Sequence, residues 1–214
     1  IDHPTSGEVK IGNTYVHKLN ESRMARWRGR NLGIVFQFYQ LLPMLSLLEN
    51  TMLPMDFCDM YAPGEREKRA MELLDMVGLA DVAHKMPAAV SGGQQQRVFI
   101  ARALAQEATI LLMDEPFTGV DAPSQEAILE IMDRLQEQGV TLLVSTHDLN
   151  LAVERFDRLA LLNTQLIAYG APRQVITPQA LTAAYGGQAV WRGDDYAMVL
   201  GDIECCGESG HQHD

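Results

Sequence analysis

Two adjacent carboxylates, Asp114 and Glu115, follow a run of four apolar residues, Ile110 to Met113. Such a run is typical of a strand buried in a parallel sheet, and the carboxyl ends of these strands meet at the edge where ligands of open α/β folds bind. At that edge one carboxylate can hold a hydrated Mg²⁺, and the next can orient an attacking water. The alternative is a strand that ends at the surface in two solvated acids, and these residues alone leave both interpretations open.

A second group of candidate residues, Ser91, Gly92, Gly93 and Gln94, comes directly before a helical run that extends to Leu104. Two glycines at the start of a helix let the backbone approach a phosphate closely, and the free N–H groups and the helix dipole attract the anion. The Ser91 hydroxyl adds a donor. The simpler interpretation is a serine cap before a flexible turn.

The elements that position these residues alternate between apolar strands and amphipathic helices, which is typical of a parallel sheet covered by helices. Strands are predicted at residues 31–36, 109–113, 140–145 and 158–162. The stretch between the first two strands is mostly helical, so we expect a helical subdomain at about residues 41–104. Asp121 is predicted to cap a later helix that ends at Gly139. Residues 166–169 are predicted to pair with the preceding strand, and 178–185 to form a short helix.

Four motifs follow one another along the chain: Ser91-Gly92-Gly93-Gln94-Gln95, Asp114-Glu115-Pro116, Thr118-Gly119-Val120-Asp121 and Ser145-Thr146-His147-Asp148. In this order they resemble the signature motif, Walker B strand, D-loop and switch histidine of the ATP-binding cassette (ABC) family, and residues 35–37 match its Q-loop. The resemblance covers residues 1 to about 186. It implies an α/β fold, a P-loop NTPase-like parallel sheet with an inserted helical subdomain, incomplete at the N-terminus. Residues 187–214 are predicted to be a C-terminal extension.

The resemblance implies a role for each matching residue. Asp114 would support Mg²⁺, Gln37 would join the metal and sense the membrane partner, and Glu115 would polarise the hydrolytic water. His147 would contact the γ-phosphate of ATP, although a lone histidine after a strand is commonly structural. Asp121 would lie at a dimer interface as well as cap its helix. The implied cofactors are ATP and Mg²⁺.

The resemblance also implies partners. Two subunits would stack head to tail as a homodimer, so that the Ser91 to Gln94 edge of one closes on ATP held by the P-loop of the other. The helical subdomain would contact transmembrane permease subunits, which places the chain in the cytoplasm on the inner face of a bacterial membrane. The formal charge of −11 argues against general nucleic-acid binding, because a phosphate backbone requires a basic face.

The chain contains no G-x-x-x-x-G-K-[ST] P-loop. Gly7 and Gly12 have the required spacing, but Asn13 stands where the phosphate-binding lysine belongs, and no helical pattern follows. In ABC proteins a stretch like Pro4 to Val9 lies after the P-loop helix, so we expect this chain to begin downstream of it. The 214 residues alone are therefore expected to bind ATP weakly or not at all and to lack useful turnover.

The transported substrate is left open by two resemblances. Residues 31–50 are similar to ATPases of lipoprotein release and macrolide export, whereas residues 146–150, 167–172, 177–178 and 184–187 resemble subunits of zinc, manganese or iron-chelate importers. The C-terminal tail adds four residues that are able to bind a transition metal. They are Cys205, Cys206, His211 and His213, and the alternative is a solvated tail in which they coincide.

Two other functions compete with that of a transporter subunit. One is an ABC ATPase without a transporter, although such proteins usually carry two cassettes or a long coiled-coil insertion, and the sequence shows neither. The other is a non-catalytic binding module that keeps the dimer surface but has lost ATP.

Overall fold

The computed structural model describes residues 4–36, 41–185, 189–192 and 197–200. The chain divides into two compact units, Ile1–Ser145 and Thr146–Asp214. The first unit contains the strands β1 (Lys10–Ile11), β2 (Thr14–Tyr15), β3 (Leu32–Val35), β4 (Ile110–Asp114) and β5 (Thr141–Ser145). Its helices are α1 (Glu21–Asn31), α2 (Leu47–Phe57), α3 (Pro63–Met76), α4 (Gly92–Leu104) and α5 (Ala122–Glu137).

A parallel sheet of order β3-β4-β5 forms the centre of the first unit. The connections from β3 to β4 and from β4 to β5 run in the same direction across the sheet. Because connections between parallel strands are right-handed, the helices α2 to α5 lie on one face of the sheet. On this face Leu111 and Met113 are almost fully buried. Helix α4 approaches so closely that a Cβ at Gly33 would lie 2.9 Å from the Leu111 side chain and 3.1 Å from Ala103.

The other face of the same sheet is less covered. Ile34, Leu112 and Leu143 are aligned across the three strands and therefore point to that face together. Ile34 is 39% exposed and Leu143 62% exposed. Parallel sheets normally bury both faces, so this apolar row is unusual.

Helices α2, α3 and α4 form the helical stretch that the sequence predicts between the first two central strands. The side chain of Ser46 accepts a hydrogen bond from the Glu49 N–H at 3.2 Å, and the Glu49 carboxylate accepts one from the Ser46 N–H at 2.7 Å. This reciprocal capping starts α2 and lowers the pKa of Glu49. Buried Asn50 binds the preceding loop, accepting from the Leu42 N–H at 2.8 Å. The loop and helix are thereby fixed to each other.

The predicted strand at 31–36 is one residue too long at its start, because Asn31 belongs to α1. Its side-chain amide donates to the Trp27 carbonyl at 2.8 Å, which completes the last helical turn. Gly12, the second glycine of the rejected P-loop spacing, lies in the turn of the β1–β2 hairpin with a φ of 56°. No helix follows Gly12 directly, so the rejection of this segment as a P-loop is confirmed.

The second unit contains α6 (Leu149–Arg155), β6 (Leu159–Asn163), β7 (Gln165–Gly170), α7 (Pro172–Val175), α8 (Pro178–Tyr185), β8 (Ala189–Arg192) and β9 (Ala197–Leu200). Strands β6 and β7 are antiparallel and Thr164 turns between them with a φ of 55°, as the sequence predicts. Leu161, Val175, Ile176 and Leu181 form the core of this unit. Across the described parts of both units, no helix is long and apolar enough to span a membrane.

Candidate functional site

Asp114 lies at the carboxyl end of β4, directly opposite Ser145 at the end of β5. The Ser145 hydroxyl donates a hydrogen bond to Asp114 Oδ1 at 2.6 Å. The Asp114 side chain is exposed at this edge of the sheet. The predicted position of this carboxylate is therefore confirmed, and Ser145 is a partner that orients it.

Glu115 has a φ of 48°, in the left-handed region that residues other than glycine rarely adopt. Its N–H donates to the Ser145 carbonyl at 3.1 Å, and its Oε2 accepts from the Thr118 hydroxyl at 3.1 Å. Such a conformation costs about 1–3 kcal/mol and is enriched at functional sites. The two adjacent acids thus differ, since Asp114 is exposed and bonded to Ser145 whereas Glu115 is half-buried and bonded to Thr118.

Ser91 caps the N-terminus of α4. Its hydroxyl oxygen accepts from the Gln94 N–H at 3.2 Å, and the Gln94 side chain accepts from the Ser91 N–H at 2.9 Å. Gln95 ties down the preceding turn by donating to the Pro87 carbonyl at 3.0 Å. The helix is 13 residues long and begins at Gly92, so its dipole favours an anion at this end.

Gly93 packs against the first turn of α5. A Cβ at Gly93 would lie 2.2 Å from Ser124 Oγ and 2.5 Å from Ser124 Cβ. No real Cβ tolerates such distances, so any larger residue forces the two helices apart. The sequence suggested that this glycine admits a phosphate, and the structure adds a packing requirement within the chain.

The Asp121 side chain lies beside the same glycine, since a Cβ at Gly93 would lie 3.9 Å from Asp121 Oδ1. Asp121 caps α5 by accepting from the Ser124 N–H at 3.0 Å, as the sequence predicts. Hydrogen bonds from Ser124 lower the pKa of Asp121, and the positive charge of Arg97 on α4 lowers it further. Burial lowers the pKa of Arg97, whose guanidinium also donates to the Val77 carbonyl at 2.9 Å. The residues that resemble the signature motif and the D-loop therefore form one packed assembly.

Not all predicted site residues can be located in this arrangement. His147 is exposed and lies in the turn between β5 and α6, where Asp148 caps α6 by accepting from the Leu151 N–H at 3.0 Å. Gln37 and the tail residues lie outside the described residues. The tail residues are Cys205, Cys206, His211 and His213. The roles assigned to His147 and to these five residues stay predictions.

Sequence reasoning missed three residues that act on the site. Ser145 orients Asp114, Ser124 fills the space beside Gly93, and the charge of Arg97 lowers the pKa of Asp121. Ser145 had a signal, since it ends a predicted strand within a recognised motif. Ser124 and Arg97 had none, because their contacts depend on how two helices pack.

Mg²⁺ fits the donor set at Asp114. Magnesium binds oxygen atoms and commonly takes only one or two protein carboxylates, with water and substrate phosphates completing its shell. The exposed Asp114 carboxylate with a neighbouring hydroxyl meets that requirement. No group of three or more His, Cys, Asp or Glu side chains able to hold a metal occurs in the described ranges.

Comparison with known proteins identifies this arrangement. A family model described as "ABC transporter" matches residues 1–118, which is more than half of the chain. The chain belongs to the ABC transporter family. An uncharacterized ABC transporter ATP-binding protein of Thermotoga maritima is 47% identical over 154 residues, which cover 72% of this chain and 65% of the relative. The lipoprotein-releasing system ATP-binding protein LolD of Anaeromyxobacter dehalogenans is 39% identical and covers 81% of this chain and 73% of the relative.

A solved ABC structure confirms the fold class. The ATP-binding cassette MJ0796 of Methanocaldococcus jannaschii, in a dimeric post-hydrolysis state bound to ADP and Pi, aligns with a TM-score of 0.72 and 38% identity. The alignment covers 80% of this chain and 76% of that one. The α/β, P-loop NTPase-like fold expected from the motifs is therefore correct.

Other ABC relatives carry different names. The chain matches a macrolide export ATP-binding/permease protein, MacB of Bartonella henselae, at 37% identity over only 29% of that protein's length. It matches the zinc transport system ATP-binding protein TroB of Treponema pallidum at 48% identity over 48% of that protein's length. The chain thus spans less than two thirds of several relatives that it matches.

Proposed function

We propose that this chain is the Mg²⁺-holding and water-positioning part of an ATPase subunit that powers solute transport by an ABC transporter across a bacterial membrane. The arrangement of Asp114 and Glu115 at one edge of the parallel sheet carries the proposal. One carboxylate is bonded to Ser145 and exposed, and the other is held in a strained backbone conformation beside Thr118. Two different environments for adjacent acids suit two different roles.

Each acid has a separate task in this proposal. Bound Mg²⁺ neutralises charge on the phosphates of ATP. Asp114 holds the metal or its water shell, and the Ser145 hydroxyl fixes the carboxylate. Glu115 accepts a hydrogen bond from a water and aims it at the γ-phosphorus, while Thr118 keeps the glutamate in place. Attack by that water breaks the bond to ADP and yields inorganic phosphate and a proton.

We propose that ATP binding at this site needs a P-loop, a motif that these 214 residues do not contain. The uncovered row of Ile34, Leu112 and Leu143 leaves room for the helix of a P-loop, because a parallel sheet normally carries helices on both faces. A helix that follows a P-loop would supply that layer and bring the phosphates to the same sheet edge as Asp114.

Two subunits act together in the proposed assembly. MJ0796, which is similar in fold, is dimeric in its solved structures. We place Ser91 and the start of α4 against ATP held by the second subunit, in a head-to-tail homodimer on the cytoplasmic side of the membrane. His147 would contact the γ-phosphate, and Gln37 would join the metal.

The permease subunits select the cargo in this proposal. Relatives named for lipoprotein release, macrolide export and zinc transport match this one chain at 37–48% identity. Similar ATPase subunits that serve different cargoes are expected if the ATPase contacts the permease rather than the transported solute. The exposed side chains of Leu42 and Met44 before α2 offer an apolar contact for that partner.

Phosphate release by the intact subunit tests the proposed activity. We expect release from ATP to require Mg²⁺, to stop when the metal is chelated and to resume when it is restored. Asp114→Asn should raise the Mg²⁺ concentration needed for half-maximal phosphate release by about 10- to 100-fold, the usual effect of disturbing the groups around a bound metal. Asp75→Asn, which changes an exposed acid on α3, is the matched control. Turnover that ignores Mg²⁺ would refute the proposal.

A further inference from the structure

Helix α1 concentrates positive charge in an acidic chain. Four of the 17 Lys and Arg residues, Arg23, Arg26, Arg28 and Arg30, lie on this 11-residue helix, while the formal net charge is −11. Within the part of the chain that the structure describes, none of the four forms a salt bridge. With Glu21 as its one acid, the helix carries a net charge of +3, from four arginines minus one glutamate.

Three of these arginines share one side of α1. At about 100° per residue, Arg23, Arg26 and Arg30 fall with Trp27 within roughly 100° of the helix circumference. The three arginines are exposed and Trp27 is half-buried. Met24, which points elsewhere, is buried at 5% exposure and anchors the helix to the protein. The arginine stripe thus faces outward.

An exposed aromatic ring lies one residue from a contact with α1. Phe57, the last residue of α2, is 83% exposed. Its neighbour Cys58 contacts α1, with Cys58 Sγ 3.7 Å from the Gly29 carbonyl oxygen. A phenylalanine so exposed is unfavourable in water unless something else covers it.

We propose that Arg23, Arg26, Trp27, Arg30 and Phe57, together called the basic face, bind the anionic headgroups of a phospholipid bilayer. Arginines attract lipid phosphates, and aromatic rings settle at the boundary between headgroups and acyl chains. The combination of cations with an exposed ring favours a lipid surface over an acidic peptide, which needs no exposed phenylalanine. This inference does not depend on ATP binding or hydrolysis.

The acidic remainder of the chain makes this contact directional. Charges are screened over about 8–10 Å in physiological salt, so a local basic face is attracted although the net charge is negative. Orientations that bring acidic surface to the membrane are repelled. The basic face would therefore fix how the subunit lies on the bilayer.

Vesicle sedimentation of the 214-residue chain, without nucleotide, tests the proposal. The two probes are vesicles of phosphatidylcholine alone and vesicles that also contain phosphatidylglycerol. We expect binding only to the anionic vesicles, weakening as salt is raised. The triple variant Arg23→Gln, Arg26→Gln, Arg30→Gln should lose about 100-fold in partitioning, and Phe57→Ser should lose a smaller factor.

Two further variants separate charge at this site from charge in general. The control Lys10→Gln, Lys68→Gln, Lys85→Gln removes three exposed cations elsewhere, so it reaches the same net charge of −14, from −11 minus three, and should bind nearly as the parent does. The Arg→Lys triple at 23, 26 and 30 keeps the charge and should retain binding. Circular dichroism checks that each variant is folded.

Fluorescence of Trp27 gives a readout that reports the site itself. In a Trp191→Phe background Trp27 is the remaining tryptophan, and its emission should shift to the blue on anionic vesicles. Absence of vesicle binding, equal loss in the lysine control or no change in Trp27 emission would overturn the proposal. Binding to an acidic peptide but not to vesicles would also overturn it and identify a protein partner instead.

Discussion

Replacing Glu115 by Gln should lower ATP turnover of the intact subunit by about 10²- to 10⁴-fold, the usual contribution of a positioned general base. Glutamine keeps the size of the side chain and a hydrogen-bond acceptor for Thr118 but loses the negative charge. ATP affinity should change little, because the lost interaction belongs to the transition state rather than to the bound substrate.

Two companion variants show whether the effect belongs to this side chain. Thr118→Val removes the hydroxyl that donates to Glu115 and should lower kcat about tenfold, the cost of one hydrogen bond. Glu67→Gln changes an exposed acid on α3 and should leave kcat unchanged. A Glu115→Gln subunit that turns over at the parent rate would exclude Glu115 as the water-positioning residue.

Gly93→Ala should destabilise the chain by about 1–3 kcal/mol, because the new Cβ overlaps Ser124. The overlap involves both Cβ and Oγ of Ser124, so Ser124→Ala does not relieve it, whereas Ser124→Gly does. The double variant Gly93→Ala, Ser124→Gly should therefore be more stable than the two single losses predict. Urea unfolding of the four proteins measures this coupling.

Gly64→Ala is a matched control for that substitution. Gly64 also occupies the second position of its helix, α3, but a Cβ there meets nothing within 4 Å. This variant should be neutral or more stable by up to about 1 kcal/mol, since alanine restricts the unfolded chain. Equal destabilisation at Gly64 and Gly93 would show that the Ser124 contact is not the cause.

Local patterns in the sequence predicted those parts of the fold that depend on local chemistry. The apolar residues before Asp114 predict that this carboxylate ends a strand, as it does at the end of β4. The cap at Asp121 is also predictable, because an aspartate just before a helix with a proline in its first turn is a local signal. The helix at Pro178–Tyr185 was also predicted with its observed bounds.

Features that depend on distant residues were not predictable in the same way. Asp114 and Ser145 are 31 residues apart, and their hydrogen bond exists only because β4 and β5 pair in a particular register. The Gly93 contact with Ser124 depends on the packing of α4 on α5. The left-handed conformation of Glu115 carries no sequence signal, because glutamate has no preference for it.

Helix α1 was missed altogether, although Asn20 caps it by accepting from the Arg23 N–H at 2.9 Å. Its arginines and its glycine obscure the apolar pattern of a surface helix, since Met24 is its only buried residue. The basic face is therefore visible in the structure but not in the hydrophobic periodicity of the sequence.

Asp114 and Glu115 are proposed to act on ATP only together with a P-loop, a motif that the 214 residues do not contain. Calorimetric titration of Mg-ATP tests this requirement directly. The 214-residue chain should show no micromolar binding, whereas the same chain preceded by a P-loop segment should bind ATP. Micromolar affinity of Mg-ATP for the 214-residue chain alone would contradict the account.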